Sequence, residues 1–207
     1  MSNPDGDLAA NRPGDAVRRK LIELEPSAVK RLLSRWSKAD STRELRSWRQ
    51  GLVGERHTAR RLRSLGRGWY TLHAVQYPSG TDVDHLVIGP PGVFTVNSKH
   101  HKGKKVWYGD RAITVNGGKT RHIPASLSEA RKASAALTRA CGFTVKARPV
   151  LAVVGAAKLE VRQAAPPVLV LAADDLPSRL SGMSPVLAPD EVERIYAVAR
   201  IGRTWSD

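Results

Sequence analysis

Two carboxylates, an amide and a lysine in residues 82–99 have the spacing to converge at one end of a β-hairpin. If the Gly-Pro-Pro-Gly sequence of residues 89–92 forms the loop, Asp84 lies opposite Asn97 and Asp82 opposite Lys99. Side chains alternate across a strand, so these four would share one face. Mg²⁺ prefers oxygen ligands, usually one or two carboxylates together with substrate phosphate. A neighbouring lysine can position water or neutralise charge on phosphate. These residue types suit metal-dependent phosphodiester hydrolysis; the alternative is an ordinary ion pair between Asp82 and Lys99.

A third carboxylate, Glu55, falls in the apolar stripe of a helix predicted over residues 41–65. The stripe residues lie three, four or seven positions from it and are Trp48, Leu52, Ala59 and Leu62. An ionised carboxylate there is unfavourable unless it is paired or binds a metal. Glu55 therefore either pairs with a buried arginine or points at the acidic end of the hairpin. Gly51 and Gly54 would let this helix approach the sheet closely.

The elements that must position these residues follow from capping and turn patterns. Capping boxes at residues 41–44 and 126–129 predict the starts of two helices, the second ending before Gly142. Strand-like runs bounded by turn signals predict strands over residues 69–75, 83–88, 93–99, 148–154 and 168–171, and a hairpin over residues 105–115. A final helix is predicted over residues 189–201. This order predicts an α/β (α+β) fold around one sheet. We expect Trp69, Trp107 and Tyr108 to be core or sheet-surface residues; the alternative is that they stack on nucleic-acid bases.

Composition narrows the class of protein. Of 207 residues, 41% are hydrophobic, which is enough for a folded core. The single cysteine, Cys141, excludes an internal disulfide and a cysteine-based zinc site. A secretory pattern and a long apolar run are not evident, so we expect a cytoplasmic protein with no membrane segment. The net charge is +15, of which residues 51–148 carry +12. A basic folded surface favours nucleic acid, although anionic lipid or plain solvent are alternatives.

The same residues carry a family resemblance. Residues 54–56 (Gly-Glu-Arg), 82–99 and 101–103 (His-Lys-Gly) resemble the nuclease-related domain (NERD) family, placed in the PD-(D/E)XK restriction-endonuclease-like superfamily. The resemblance covers roughly residues 50–160. It implies a central mixed sheet flanked by helices, and DNA cleavage that depends on Mg²⁺ or Mn²⁺. By position, Glu55 resembles the first-helix acid, Asp84 the motif aspartate and Lys99 the motif lysine.

Asn97 departs from the family pattern, which usually has an acid two residues before the lysine. An amide oxygen can still bind Mg²⁺ but brings no charge, so metal affinity should fall; Asp82 could compensate. We therefore expect Asp84, Glu55, Asn97 and Asp82 to be metal ligands, and Asp84, Lys99, Asn97 and Glu55 to be catalytic. A histidine-based metal site is not expected, because His100 and His101 point in opposite directions.

Two functions remain open: a metal-dependent nuclease, or a catalytically inactive nucleic-acid-binding module of the same fold. A protein-interaction domain is a third, weaker alternative. Phosphate contacts, with little sequence specificity, are predicted for the basic run that follows the motif, namely His101, Lys102, Lys104, Lys105, Lys119 and Arg121. A solvated basic loop is the alternative for these residues.

The domain prediction has three parts. Residues 1–40 are a basic, partly disordered extension, unstructured over 1–15 and with a short helix over 27–39. Residues 41–165 are the NERD-like domain, and residues 166–207 pack on it as a strand and helices. The oligomeric state is left open.

Overall fold

The computed structural model describes residues 6–18, 38–77, 80, 82–109, 112–162 and 165–206, with side chains in the first long helix from residue 46 onward. The helix predicted over residues 27–39 lies almost entirely outside these residues. The strands are β1 (Tyr70–Gln76), β2 (Asp82–Gly89), β3 (Gly92–His100), β4 (Lys105–Tyr108), β5 (Ile113–Val115), β6 (Gly118–Lys119), β7 (Ala147–Val154), β8 (Lys158–Val161) and β9 (Leu169–Ala172). The α-helices are α1 (Lys38–Leu62), α2 (His122–Cys141), α3 (Leu176–Ser181) and α4 (Pro189–Ala199).

The main sheet has five strands in the order β1-β2-β3-β7-β9. Neighbours from β1 to β3 are antiparallel, and β3, β7 and β9 are parallel. The predicted mixed α/β fold is therefore confirmed. The expectation of a single sheet is wrong, because β4, β5, β6 and β8 form a second sheet in the order β6-β5-β4-β8. Its inner residues Val106 and Tyr108 pack on Leu151 and Val153 at the end of the main sheet.

Helices cover both faces of the main sheet. On one face, Leu86 and Val93 pack against Ala133 and Leu137 of α2, and α4 belongs to the same cluster. On the other face, Val87 and Phe94 pack with Leu62 of α1 and with α3. Alternate residues of β2 and β3 thus point to opposite layers, as the period of a strand requires. The result is a sheet between two helical layers, with α1 and α2 on opposite sides of β3.

The two capping boxes do not mark the helix starts. α1 is already helical at Lys38, three residues before Ser41, and α2 begins at His122, four residues before Ser126. Pro124 lies in the first turn of α2. The N–H groups of a first turn have no acceptor within the helix, so a proline there costs no helical hydrogen bond. α2 ends as predicted, with Gly142 in the left-handed conformation at φ 73°. The early start places Glu129 in the helix interior, where it is available for another role.

Residues 6–15 pack on the domain, so the expectation that residues 1–15 are disordered is wrong for this part. Asp7 forms an ion pair and a β-bridge with the C-terminal segment, to Arg200 and Ile201. The Asn11 Nδ2 atom donates a hydrogen bond to the His73 carbonyl at 3.1 Å. These contacts are made by main-chain and polar groups. Because such contacts need no regular spacing of apolar residues, the sequence pattern does not reveal them.

Within the described residues, no helix has both the length and the apolar character that crossing a bilayer requires.

Candidate active site

The antiparallel ladder between β2 and β3 has the predicted register but is shorter than predicted. Leu86 pairs with Thr95 and Ile88 with Val93, and the last pair is His85 with Val96. Beyond that pair, β2 continues with β1 to Asp82, and β3 continues with β7 to His100. The predicted Asp84–Asn97 and Asp82–Lys99 pairs are therefore absent from the ladder. The two strands fork, and these side chains lie at the fork.

Asp84 binds across the fork by its side chain. The Ser98 backbone N–H donates to Asp84 Oδ2 at 2.6 Å. Burial raises the pKa of the Asp84 carboxyl, and the negative charge of Asp82 raises it further. Lys99 and the Ser98 N–H act in the opposite direction and lower the pKa. Asp84 is thus a partly enclosed carboxyl beside both Asp82 and Lys99.

Glu55 reaches the same fork from the helical layer above. Its side chain is 4% exposed and shares its helix face with buried Ala59 and Leu62. Burial raises the pKa of Glu55 well above its usual range, and the negative charges of Asp84 and Asp82 raise it further. The positive charge of Lys99 lowers it. Of the two alternatives for Glu55, the structure places it toward the acidic end of the hairpin.

Gly54 allows this close approach of α1 to β3. A Cβ atom at Gly54 would lie 3.3 Å from the Cβ atom of His100, tighter than most such contacts. Nothing lies within 4 Å of the corresponding position at Gly51, so the prediction for Gly51 is wrong. Thr58, one turn along the helix, accepts a hydrogen bond from the Ser98 hydroxyl at 2.8 Å.

Sequence reasoning missed a fourth carboxylate, Glu129 of α2. The Asn97 Nδ2 atom donates a short hydrogen bond to Glu129 Oε2. Burial raises the pKa of Glu129 to about 7, although Lys99 and the Asn97 amide lower it. Glu129 lies three residues after buried Ser126 and four before buried Ala133. Glu129 thus carries the same signal as Glu55, an acid at helical spacing from small buried residues, although it is also the last residue of a capping-box sequence.

Two histidines, His101 and His122, lie near Lys99, and only His101 was among the predicted phosphate contacts. The rings of His101 and His122 lie 5.6 Å apart, centroid to centroid. Burial and the Lys99 charge lower both pKa values, that of His122 to about 4, so both rings are neutral at pH 7. Their Nε2 atoms are buried and have no hydrogen-bond partner among the described residues. A buried polar atom of this kind is a candidate for contact with a ligand.

A buried polar chain supports the fork on the side that faces α1. His73 and His85 are in contact through their Nδ1 atoms at 2.9 Å, and His85 Nε2 lies 3.3 Å from the Ser98 hydroxyl. Burial is the main cause of a lowered pKa in both histidines. They are therefore neutral, and the chain helps to hold Ser98, whose N–H binds Asp84.

The predicted phosphate-contacting residues lie in the segments that adjoin the fork. Four exposed lysines and one exposed arginine occupy the loop after β3, the start of β4, β6 and the residue before α2; they are Lys102, Lys104, Lys105, Lys119 and Arg121. His101 differs from them because it is half-buried.

The donor set at the fork suits a hard cation. Among the described residues, no three His, Cys, Asp or Glu side chains form a ready-made metal site. Mg²⁺ does not need one, since it usually takes one or two carboxylates and completes its shell with water and phosphate. Asp84 and Glu55 are mutually repelling oxygen donors with raised pKa values. A bound cation would relieve that repulsion, so these residues fit Mg²⁺ or Mn²⁺.

These carboxyls make stability depend on pH. A raised pKa means that the folded state keeps protons that the unfolded state releases, so the unfolding free energy falls as pH rises through that interval. The lowered pKa values of the buried histidines make the unfolding free energy rise with pH instead. That rise ends near their ordinary pKa of 6.5, so the histidines add no pH dependence above it. In EDTA, we therefore expect the melting temperature to fall between pH 7 and pH 9, which a thermal denaturation series measures.

Glu55→Gln should remove most of this pH dependence, whereas Glu193→Gln, at an exposed position of α4, should leave it unchanged. Added Mg²⁺ should reduce the fall in the wild-type protein. A melting temperature that is constant from pH 7 to pH 9 in EDTA would contradict the buried carboxyl cluster.

Comparison with known proteins adds one finding. The family model described as "Nuclease-related domain" (NERD) matches residues 50–155, which include all of the fork residues. The match is consistent with the PD-(D/E)XK superfamily. No curated protein and no solved structure matches the chain.

Proposed function

Because the chain belongs to the nuclease-related domain family, we propose that it is a metal-dependent nuclease that hydrolyses DNA with little sequence specificity. The observation that carries the proposal is the convergence of Glu55, Asp84 and Glu129 on Lys99, from three separate elements, at the fork between β2 and β3. Buried like charges beside a lysine destabilise a fold, so a ligand that compensates them is the economical explanation.

The carboxylates form the cation site. Asp84 and Glu55 would hold Mg²⁺ or Mn²⁺, with the Asn97 Oδ1 atom and Asp82 as further oxygen donors. Because Asn97 Nδ2 donates to Glu129, its Oδ1 atom is the one available to a ligand. A cation held by these residues would supply positive charge next to a phosphate oxygen and would lower the pKa of a nearby water.

The cationic and neutral donors handle the phosphate. The Lys99 ammonium neutralises charge that develops on the phosphate oxygens during hydrolysis and orients the attacking water. The neutral rings of His101 and His122 can each donate an N–H to a phosphate oxygen, which would satisfy their unpaired Nε2 atoms. The exposed residues Lys102 and Lys104 contact the DNA backbone, which positions it without reading its sequence.

A second candidate function is a catalytically inactive nucleic-acid-binding module, which Asn97 favours. An amide at this position brings one negative charge fewer to the cation site than a carboxylate would. Its hydrogen bond to Glu129 also occupies one oxygen atom of that carboxyl group. Both effects weaken cation binding without disturbing the basic surface.

A plasmid-nicking time course tests the two functions. The purified protein should convert supercoiled plasmid to the nicked form in Mg²⁺ or Mn²⁺ and not in EDTA. Plasmid that stays intact in both metals, while the protein still binds it, would reject the nuclease and support the binding module.

A further inference from the structure

The outer face of the second sheet carries an exposed aromatic ring that no core cluster uses. β4 buries Val106 and Tyr108 and exposes Lys105 and Trp107. Trp107 is 43% exposed, whereas Trp205 is 1% exposed. A tryptophan on an open sheet surface is available to a flat partner.

Gly109 holds this ring in place. A Cβ atom at Gly109 would lie 1.8 to 2.5 Å from three ring carbons of Trp107. The indole therefore occupies the space that a side chain at position 109 would need, and it covers the glycine, which is buried. The ring is preset against the sheet and exposed to solvent, so stacking on it needs little ordering of the protein.

Positive side chains lie on the same face of the second sheet as the ring. Lys158 pairs in register with Lys105, and Glu160 with Trp107. On the other side, Thr114 pairs with both Trp107 and Lys119. The exposed cations of the face are Lys105, Lys119, Lys158 and Arg162. Glu160 forms ion pairs with Lys158 and Arg162 and offsets only part of this charge.

We propose that this face binds the unpaired nucleotides of a single-stranded nucleic acid, with one base stacked on Trp107. A flat ring within a lysine-rich sheet surface matches a polyanion that carries exposed aromatic bases, which is how single strands are bound without sequence preference. The bases of a duplex are stacked on one another inside it and are not accessible to Trp107. An acidic peptide supplies negative charge but need not carry an aromatic ring. The face thus favours an unpaired strand over both.

The second sheet is joined to the candidate active site, so both can act on one strand. The Ala157 N–H donates to the Lys104 carbonyl, and the Gly103 N–H to the Gly155 carbonyl, each at 2.9 Å. These bonds tie the start of β4 and the approach to β8 to the ends of β3 and β7. After β6 the chain returns to His122, beside Lys99. The inference rests on the proposed nuclease and directs that activity to single-stranded segments of its nucleic-acid substrate.

Binding without cleavage tests this separately from the nuclease proposal. In EDTA, fluorescence anisotropy would compare a labelled oligodeoxyuridylate, an oligouridylate and a blunt DNA duplex. Trp107→Ala should weaken binding of the single strands by roughly 5- to 150-fold, the effect of losing one stacked base, and change duplex binding by less than about twofold. Trp107→Phe should restore most of the affinity. The tighter of the two oligonucleotides identifies the sugar.

The matched control is Val186→Ala, which removes another exposed hydrophobic side chain, 70% exposed and outside the second sheet. It should bind all three probes as the wild type does. Single-strand affinity unchanged in Trp107→Ala, or lost equally for strand and duplex, would overturn the proposal. If nicking fails in every metal but the Trp107-dependent preference for single strands is present, the nuclease proposal falls and this one stands.

Discussion

Replacing Lys99 by alanine should lower plasmid nicking by about 100- to 1,000-fold, the usual loss when a group that stabilises developing charge is removed. The reason is position: Lys99 influences the pKa values of Glu55, Asp84 and Glu129 and is the cation common to all three. Alanine removes the charge needed when the phosphate becomes more negative. The loss should therefore fall on kcat more than on KM, which a nicking series over plasmid concentrations separates.

Lys102→Ala is the matched control for that experiment. Lys102 is exposed in the loop after β3 and lies three residues from Lys99. Its loss should weaken DNA binding and leave kcat unchanged. The binding constant should also depend less steeply on salt concentration, by about the amount that one phosphate contact contributes. Asp84→Ala should be as inactive as Lys99→Ala, since it removes the main cation ligand. Nicking that survives both alanine substitutions would place the activity elsewhere.

Asn97→Asp should have opposite effects with and without metal. In EDTA the new carboxylate would face Glu129 in a buried site, in place of the amide that now donates to it. Removing that donor should lower the unfolding free energy by about 1–3 kcal/mol, measured by urea denaturation. In limiting Mg²⁺, the added charge should raise nicking by about 10- to 100-fold, the range typical of residues that support a metal.

Asn97→Asp combined with Glu129→Gln controls for the lost hydrogen bond. Glutamine at position 129 can donate to the new aspartate, and the pair has the same total charge as in the wild type. Stability in EDTA should therefore recover. If Asn97→Asp alone is as stable as the wild type in EDTA, the amide does not act as proposed. An inactive wild type with an active Asn97→Asp would identify a nuclease fold that has lost its chemistry.

Local patterns determined a large part of this fold. The Gly-Pro-Pro-Gly sequence of residues 89–92 and the two-residue period of the strands were enough to predict the register of β2 with β3, although only Pro90 and Pro91 form the loop. The helical period was enough to mark Glu55 as an acid in an apolar stripe. These features depend on neighbours in the chain, which is why a sequence reveals them.

The tertiary structure decided how the pieces meet. The fork beyond His85 exists because β2 and β3 each follow a different neighbouring strand, and no pattern within the hairpin contains that information. The partnership of Asn97 with Glu129 depends on where α2 lies, which the packing of Ala133 and Leu137 on the sheet sets. The second sheet likewise takes its fourth strand from β8, some 50 residues after β4 in the chain. Residue type and local spacing thus mark most of the residues that could do chemistry, whereas long-range packing adds Glu129 and sets which of them share a site.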